Sequence, residues 1–235
     1  MKTLIILHGW QSSKEKWNKV KEILKREGIR IFIPDLPGFR PENELKKPWT
    51  LDDYVEWFEN FLEIYPELKE GFFLLGHSFG GRMAIKFAAK NPERLKGLIL
   101  ISAAGVQAKN SLKKTVLKYA SPFFKKFSFL PGYYSLRKIF YKFIVGKTDY
   151  LQLQGYLKET FKKVIEEDLT HYLDRIKVRT LILWGSEDRI TPLSDAKLLK
   201  RKIKDSKLEV LEKIGHAPYL ENPKLLAEKI KEFLI

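Results

Sequence analysis

The sequence predicts an α/β fold in which a parallel, doubly wound sheet of six strands is interrupted by a helical insertion. Three observations carry that expectation. Six short apolar, β-branched runs alternate with amphipathic helical patterns along the 235 residues, the signature of a parallel sheet with helices on both faces. A G-x-S-x-G pentapeptide, Gly76-His77-Ser78-Phe79-Gly80, stands between one apolar run and the next helical pattern. The alternation then stops from Gln107 to Ile176, a stretch with Pro122, Pro131 and ten aromatics between Tyr119 and Phe143.

The elements follow in order. Met1–Leu7 mimics the start of a signal peptide, yet His8-Gly9 ends the apolar run after four residues. A signal peptide needs roughly 7–15, so Thr3–Leu7 reads as the first strand. A helical pattern covers Lys16–Arg26, and a strand pattern covers Arg30–Ile33. Thr50 ahead of Leu51-Asp52-Asp53 marks the start of a helix over Leu51–Ile64, because its hydroxyl can accept from the first turn's free N–H groups. Strand Gly71–Leu75, helix Gly80–Lys90 and strand Gly97–Ile101 come next, and after the insertion strand Arg179–Trp184, helix Leu193–Arg201 and strand Leu208–Leu211. Asn222 followed by Pro223 opens a last helix over Pro223–Phe233, a cap residue with proline at the first helical position. The core is therefore residues 1–106 plus 177–235, and the cap is 107–176. There is no internal repeat and no low-complexity linker.

Composition narrows the classes. With 44% hydrophobic and 13% aromatic residues, burial can offset chain entropy, which excludes global disorder. The absence of cysteine excludes a disulfide framework, a thiolate metal site and a cysteine nucleophile. No uncharged run reaches the ~20 residues of a membrane span, so a soluble, cytoplasmic protein is expected. The net charge is +15, and the 42 residues from Gln107 to Thr148 hold ten basic and no acidic residues.

The pentapeptide in its strand-turn-helix setting identifies Ser78 as a candidate nucleophile, because glycines at 76 and 80 allow a sharp turn that lifts the hydroxyl to the carboxyl edge of the sheet. A serine hydroxyl needs a base, and the base an orienting carboxylate. Of the four histidines, His8 closes the first strand, His77 lies inside the elbow with its side chain expected to point away from the serine, and His171 lies in the cap. His216, in Ile214-Gly215-His216-Ala217-Pro218 after the last strand, is left as the base. Asp188, just past the fifth strand, is the chosen acid. Glu187 and Asp35 are its rivals, and Asp35 is disfavoured by its place on the far side of the nucleophile strand. An oxyanion would be met by the N–H groups of Phe79 and Trp10.

At these residues the chain resembles the α/β-hydrolase family, essentially end to end. The resemblance rests on His8-Gly9-Trp10, Asp35-Leu36-Pro37-Gly38-Phe39, Gly76-His77-Ser78-Phe79-Gly80-Gly81, Asn91-Pro92-Glu93-Arg94, Trp184-Gly185 to Asp188, and Gly215-His216-Ala217-Pro218 with Glu221-Asn222-Pro223. It implies catalytic Ser78, Asp188 and His216, oxyanion donors Trp10 and Phe79, and no cofactor or metal. The family's dehalogenases and epoxide hydrolases carry aspartate at the place of Ser78, so those reactions are disfavoured. The hairpin that usually precedes the His-Gly strand is missing, which leaves six parallel strands with Arg30–Ile33 at an exposed edge and makes an edge-strand dimer a possibility.

The implied activity is that of a serine carboxylesterase working through an acyl-enzyme, similar to small carboxylesterases and meta-cleavage-product-type hydrolases. A C–C bond hydrolase or an acyltransferase on the same triad, or a non-catalytic ligand receptor on the same fold, are the alternatives. The cap is expected to supply the pocket, with Phe123, Phe124, Phe127, Phe129, Phe140 and Phe143 either lining it or forming the cap's own core. Its basic face admits an anionic membrane, an acidic acyl carrier of the kind served by pimeloyl-carrier methyl ester esterases, or plain solvation. Nucleic acid is not expected, since no recognition motif accompanies the charge.

Overall fold

The computed structural model describes residues 2–106 and 155–235. They form one six-stranded parallel sheet, with β1 Thr3–Leu7, β2 Arg30–Phe32, β3 Phe72–His77, β4 Leu95–Ile101, β5 Thr180–Gly185 and β6 Ser206–Leu211 in the order β2-β1-β3-β4-β5-β6. Each strand lies within a few residues of its expected place, and β2 closes one edge. β1, β3 and β5 are buried along their whole length, the pattern of strands covered on both faces.

The covering helices divide into two layers. α1 Asn18–Arg26 and α6 Pro223–Leu234 pack on one face, where Leu4, Ile6, Trp17, Leu75 and Ile99 form a core. The other face carries α2 Leu51–Glu63, α3 Phe79–Lys90 and α5 Leu193–Lys202, over Leu7, Leu74, Leu98, Ile182 and Trp184. Two of the expected caps are present. The Thr50 hydroxyl accepts from the Asp53 N–H at 3.2 Å while the Asp53 carboxylate accepts from the Thr50 N–H at 2.6 Å, and the Asn222 side chain accepts from Leu225 N–H at 3.1 Å.

The basic, aromatic stretch singled out in the sequence falls at residues 107–154 and lies outside the described residues. Its exit does not. α4 Gly155–Glu166 ends within reach of the Arg82 side chain of α3. The buried Arg82 guanidinium donates to the carbonyls of Val164 at 2.7 Å, Glu167 at 2.9 Å and Ile165 at 3.3 Å, which satisfies the last turn of α4. Burial lowers the Arg82 pKa to about 10. One turn further, the Lys86 ammonium sits between Asp52 at 2.7 Å and Glu167 at 2.6 Å. The departing and returning chains also meet directly, through Leu169 N–H to Gly105 C=O at 2.8 Å.

Candidate active site

Ser78 follows the last residue of β3 and precedes the first of α3, with φ 53° and ψ −110°. A side chain at such a positive φ costs on the order of 1–3 kcal/mol and persists only when its surroundings hold it. Here Ser78 N–H donates to Ile101 C=O at 3.1 Å, and its carbonyl accepts from Gly81 N–H and Ala104 N–H at 3.0 Å each. Gly80 makes the turn possible: a Cβ there would lie 2.0 Å from the Leu7 carbonyl oxygen, a backbone atom that cannot give way.

The β1 loop lies beside the serine, since a Cβ built on Gly9 would be 3.4 Å from Ser78 Cβ. Among the described residues no group accepts from the backbone N–H of Trp10 or of Phe79, so both expected oxyanion donors are free. The Trp10 ring fixes its loop by edge contacts to Phe39, Phe79 and Phe161 at 4.8 to 5.1 Å. His8 contributes from below. Its Nδ1–H reaches the Gly9 carbonyl at 2.9 Å and its Nε2 accepts from Leu36 N–H at 3.3 Å, while burial pushes its pKa down.

Asp188 and His216 meet from adjacent strands, as β5 and β6 are neighbours. Their loops approach closely at Gly185, where a Cβ would lie 2.2 Å from the carbonyl oxygens of Ile214 and Gly215. His216 Nδ1 is 2.8 Å from Asp188 Oδ2. The same oxygen accepts from Thr191 Oγ1–H at 2.8 Å, while Oδ1 accepts from the N–H groups of Ile190 at 2.8 Å and Thr191 at 3.0 Å. Burial pushes the Asp188 carboxyl up, but the hydrogen bond and charge of His216 and the bonds from Thr191 outweigh it and hold it well below the usual carboxylate range. The Asp188 side chain is 1% exposed and that of His216 16%.

The rivals are accounted for. Glu187 faces solvent, and Asp35 is taken by Lys14 at 2.6 Å and Arg40 at 2.9 Å. His171 is exposed. His77 has a partner that the sequence did not indicate: its Nε2 lies 2.8 Å from the His216 carbonyl oxygen. That contact joins the residue before Ser78 to the base itself, and the His77 and His216 ring centroids are 5.0 Å apart.

Sequence reasoning quoted Glu221 without giving it a role and passed over Thr191 and Arg82. Glu221 carboxylate oxygens accept from Gly215 N–H at 2.7 Å and Ala217 N–H at 3.1 Å, bracketing His216. Its spacing five residues after the histidine was the available signal. Nothing in the sequence marks the other two. Among the described residues no His, Asp and Glu cluster is arranged to hold a metal ion, and no helix is long and apolar enough to cross a membrane.

Comparison with known proteins places this geometry among relatives. A family model described as serine aminopeptidase, S33 (Hydrolase_4) matches residues 1–223. The chain is 27% identical over 257 residues to monoacylglycerol lipase ABHD6 of Mus musculus, covering 99% of this chain and 75% of that protein. It is 27% identical over 252 residues to Lipase 1 of Psychrobacter immobilis, covering 98% and 76%. Among solved structures, an esterase from Exiguobacterium antarcticum superposes with a TM-score of 0.73 at 22% identity, over 100% of this chain and 92% of that one; that likeness speaks to the fold.

Proposed function

The chain belongs to the serine aminopeptidase S33 family of α/β-hydrolases, and on that premise we propose that it is a serine hydrolase that cleaves carboxylic esters through an acyl-enzyme. The observations that support the reading are a strained Ser78, a His216 anchored by Asp188 on a loop bonded to the residue before that serine, and the N–H groups of Trp10 and Phe79, which have no acceptor among the described residues. Ser78 Oγ is the nucleophile. Asp188 occupies His216 Nδ1, which leaves Nε2 to take the serine proton and later return it to the leaving alcohol. The Trp10 and Phe79 N–H groups receive the oxyanion, each contributing about 3–4 kcal/mol on the scale of donor-deletion experiments. Water, activated by the same imidazole, then releases the acid.

Ester substrates are supported by the relatives named as lipases, whereas the family description favours an amide-cleaving variant of the same machinery. A C–C hydrolase, an acyltransferase and a non-catalytic receptor remain as outcomes of the test. Docking of an acidic acyl carrier or anionic membrane by residues 107–148, and pairing of two chains along β2, belong to the same reading and rest on charge and on an open edge.

The test is labelling with a fluorophosphonate, followed by turnover of p-nitrophenyl esters from acetate to decanoate beside aminoacyl p-nitroanilides. The reading expects a single adduct on Ser78, lost in Ser78→Ala, with ester turnover exceeding anilide turnover. A folded protein that neither labels nor turns over any ester would defeat it.

A further inference from the structure

We infer that His77 is a positioning residue, whose imidazole N–H ties the main chain of the base to the residue preceding the nucleophile and so sets the spacing between Ser78 and His216. The inference rests on the triad reading above.

The geometry is specific about which atom acts. The His216 carbonyl can only accept, so the 2.8 Å contact assigns the single imidazole hydrogen of His77 to Nε2. The ring has no freedom to do otherwise. His77 is 3% exposed, and it is walled by Tyr219 at 5.0 Å and Trp17 at 6.1 Å, which stack on each other at 4.3 Å. Burial, reinforced by the neighbouring His216, pushes its pKa down to about 3, so the ring stays neutral with one N–H to give. The other nitrogen, Nδ1, is buried with no partner among the described residues. An apolar side chain of similar volume would fill this space without a stranded ring nitrogen, but would leave the His216 carbonyl without its donor. Packing alone therefore does not explain an imidazole here, whereas the bond to His216 does.

The bond matters because Asp188 holds His216 at one ring atom only. A ring fixed at Nδ1 can still pivot about that contact and sweep Nε2 away from Ser78. The main chain removes that freedom. Glu221 holds the N–H groups on either side of His216, and His77 holds the carbonyl between them. Of these anchors, His77 alone is adjacent to the nucleophile, so any displacement of Ser78 carries the base with it.

The experiment compares His77→Leu, which fills the volume without a donor, with His77→Gln, whose amide nitrogen reaches the place of Nε2. Fluorophosphonate labelling rate, kcat and KM on a p-nitrophenyl ester, and thermal midpoint are measured for both. The expected result is a fall of about 10- to 100-fold in labelling rate and kcat for His77→Leu, with KM within about twofold and most of the loss recovered in His77→Gln. Wild-type labelling rate in His77→Leu would overturn the inference, as would equal losses in both variants that track their thermal midpoints. Absence of labelling in the unmutated protein would overturn the hydrolase reading as well, and so is distinguishable from either result.

Discussion

Replacing Asp188 by asparagine changes one atom and, by the bonding around it, inverts the base. Oδ1 accepts from two backbone N–H groups, of Ile190 at 2.8 Å and Thr191 at 3.0 Å, and neither can become an acceptor. The asparagine carbonyl oxygen is therefore drawn to the Oδ1 place, and its amide NH2 falls at the Oδ2 place. There it donates to His216 Nδ1, which at present lies 2.8 Å from Oδ2. A ring that accepts at Nδ1 must carry its hydrogen on Nε2, the atom that in the proposed mechanism receives the Ser78 proton. Holding a catalytic histidine in that tautomer costs on the order of 10⁴ in kcat, or about 5.4 kcal/mol of barrier. The fold has a ready compensation, because the Thr191 hydroxyl, displaced from Oδ2, can turn to the Ser102 carbonyl at 3.3 Å. Steady-state hydrolysis of a p-nitrophenyl ester, with circular dichroism melting as the control, gives the assay. An Asp188→Asn protein that melts within a few degrees of the parent and keeps kcat within about tenfold of it refutes the reasoning.

Other outcomes are expected. Glu221→Gln keeps one acceptor where two are used, so one of the Gly215 and Ala217 N–H groups loses its partner; kcat should fall about 3- to 10-fold with KM little changed, and an unaltered kcat would count against the brace. Gly80→Ala places a methyl group 2.0 Å from the Leu7 carbonyl oxygen and should cost more than about 4 kcal/mol, read as insoluble or unfolded protein; a folded, active variant would contradict the close approach. His77 and His8 are held neutral by burial, below the value of about 6.5 that each has when unfolded. The unfolded chain thus binds protons that the native one does not. Stability should be greatest above about pH 7 and fall by up to about 1.4 kcal/mol per pH unit per histidine below about 6.5, for His77 until its own value of about 3 is reached. Urea midpoints across that range should show a shallower slope in His77→Gln, and identical slopes would contradict a buried neutral ring.

How much of this was legible in the sequence depends on the range of the interaction involved. The strands and helices were readable because apolar runs and local caps such as Thr50 with Asp53 act within a few residues. The serine and its turn were readable for the same reason, since Gly76 and Gly80 sit beside it. The meeting of His216 with Asp188 was foreseeable because few histidines competed and the runs of β5 and β6 follow one another, which the sheet order makes neighbours. Long-range contacts were not readable. His77 meets His216 across 139 positions, and Arg82 meets the end of α4 across 82 to 85. No local pattern distinguishes those side chains from ordinary core polar residues. What the sequence did not show for His77 is its partner: the elbow directs the side chain away from the serine hydroxyl, and the loop after β6 brings the His216 carbonyl to it.

The helix that presents Ser78 at one end also grips the returning chain with Arg82 and Lys86 further along, and Gly105 meets Leu169 beside it. The two ends of the intervening stretch are thus tied to one another by bonds among the described residues. With those ends already held together, a change in the length of the stretch alters closure entropy by only about 0.6 kcal/mol per doubling.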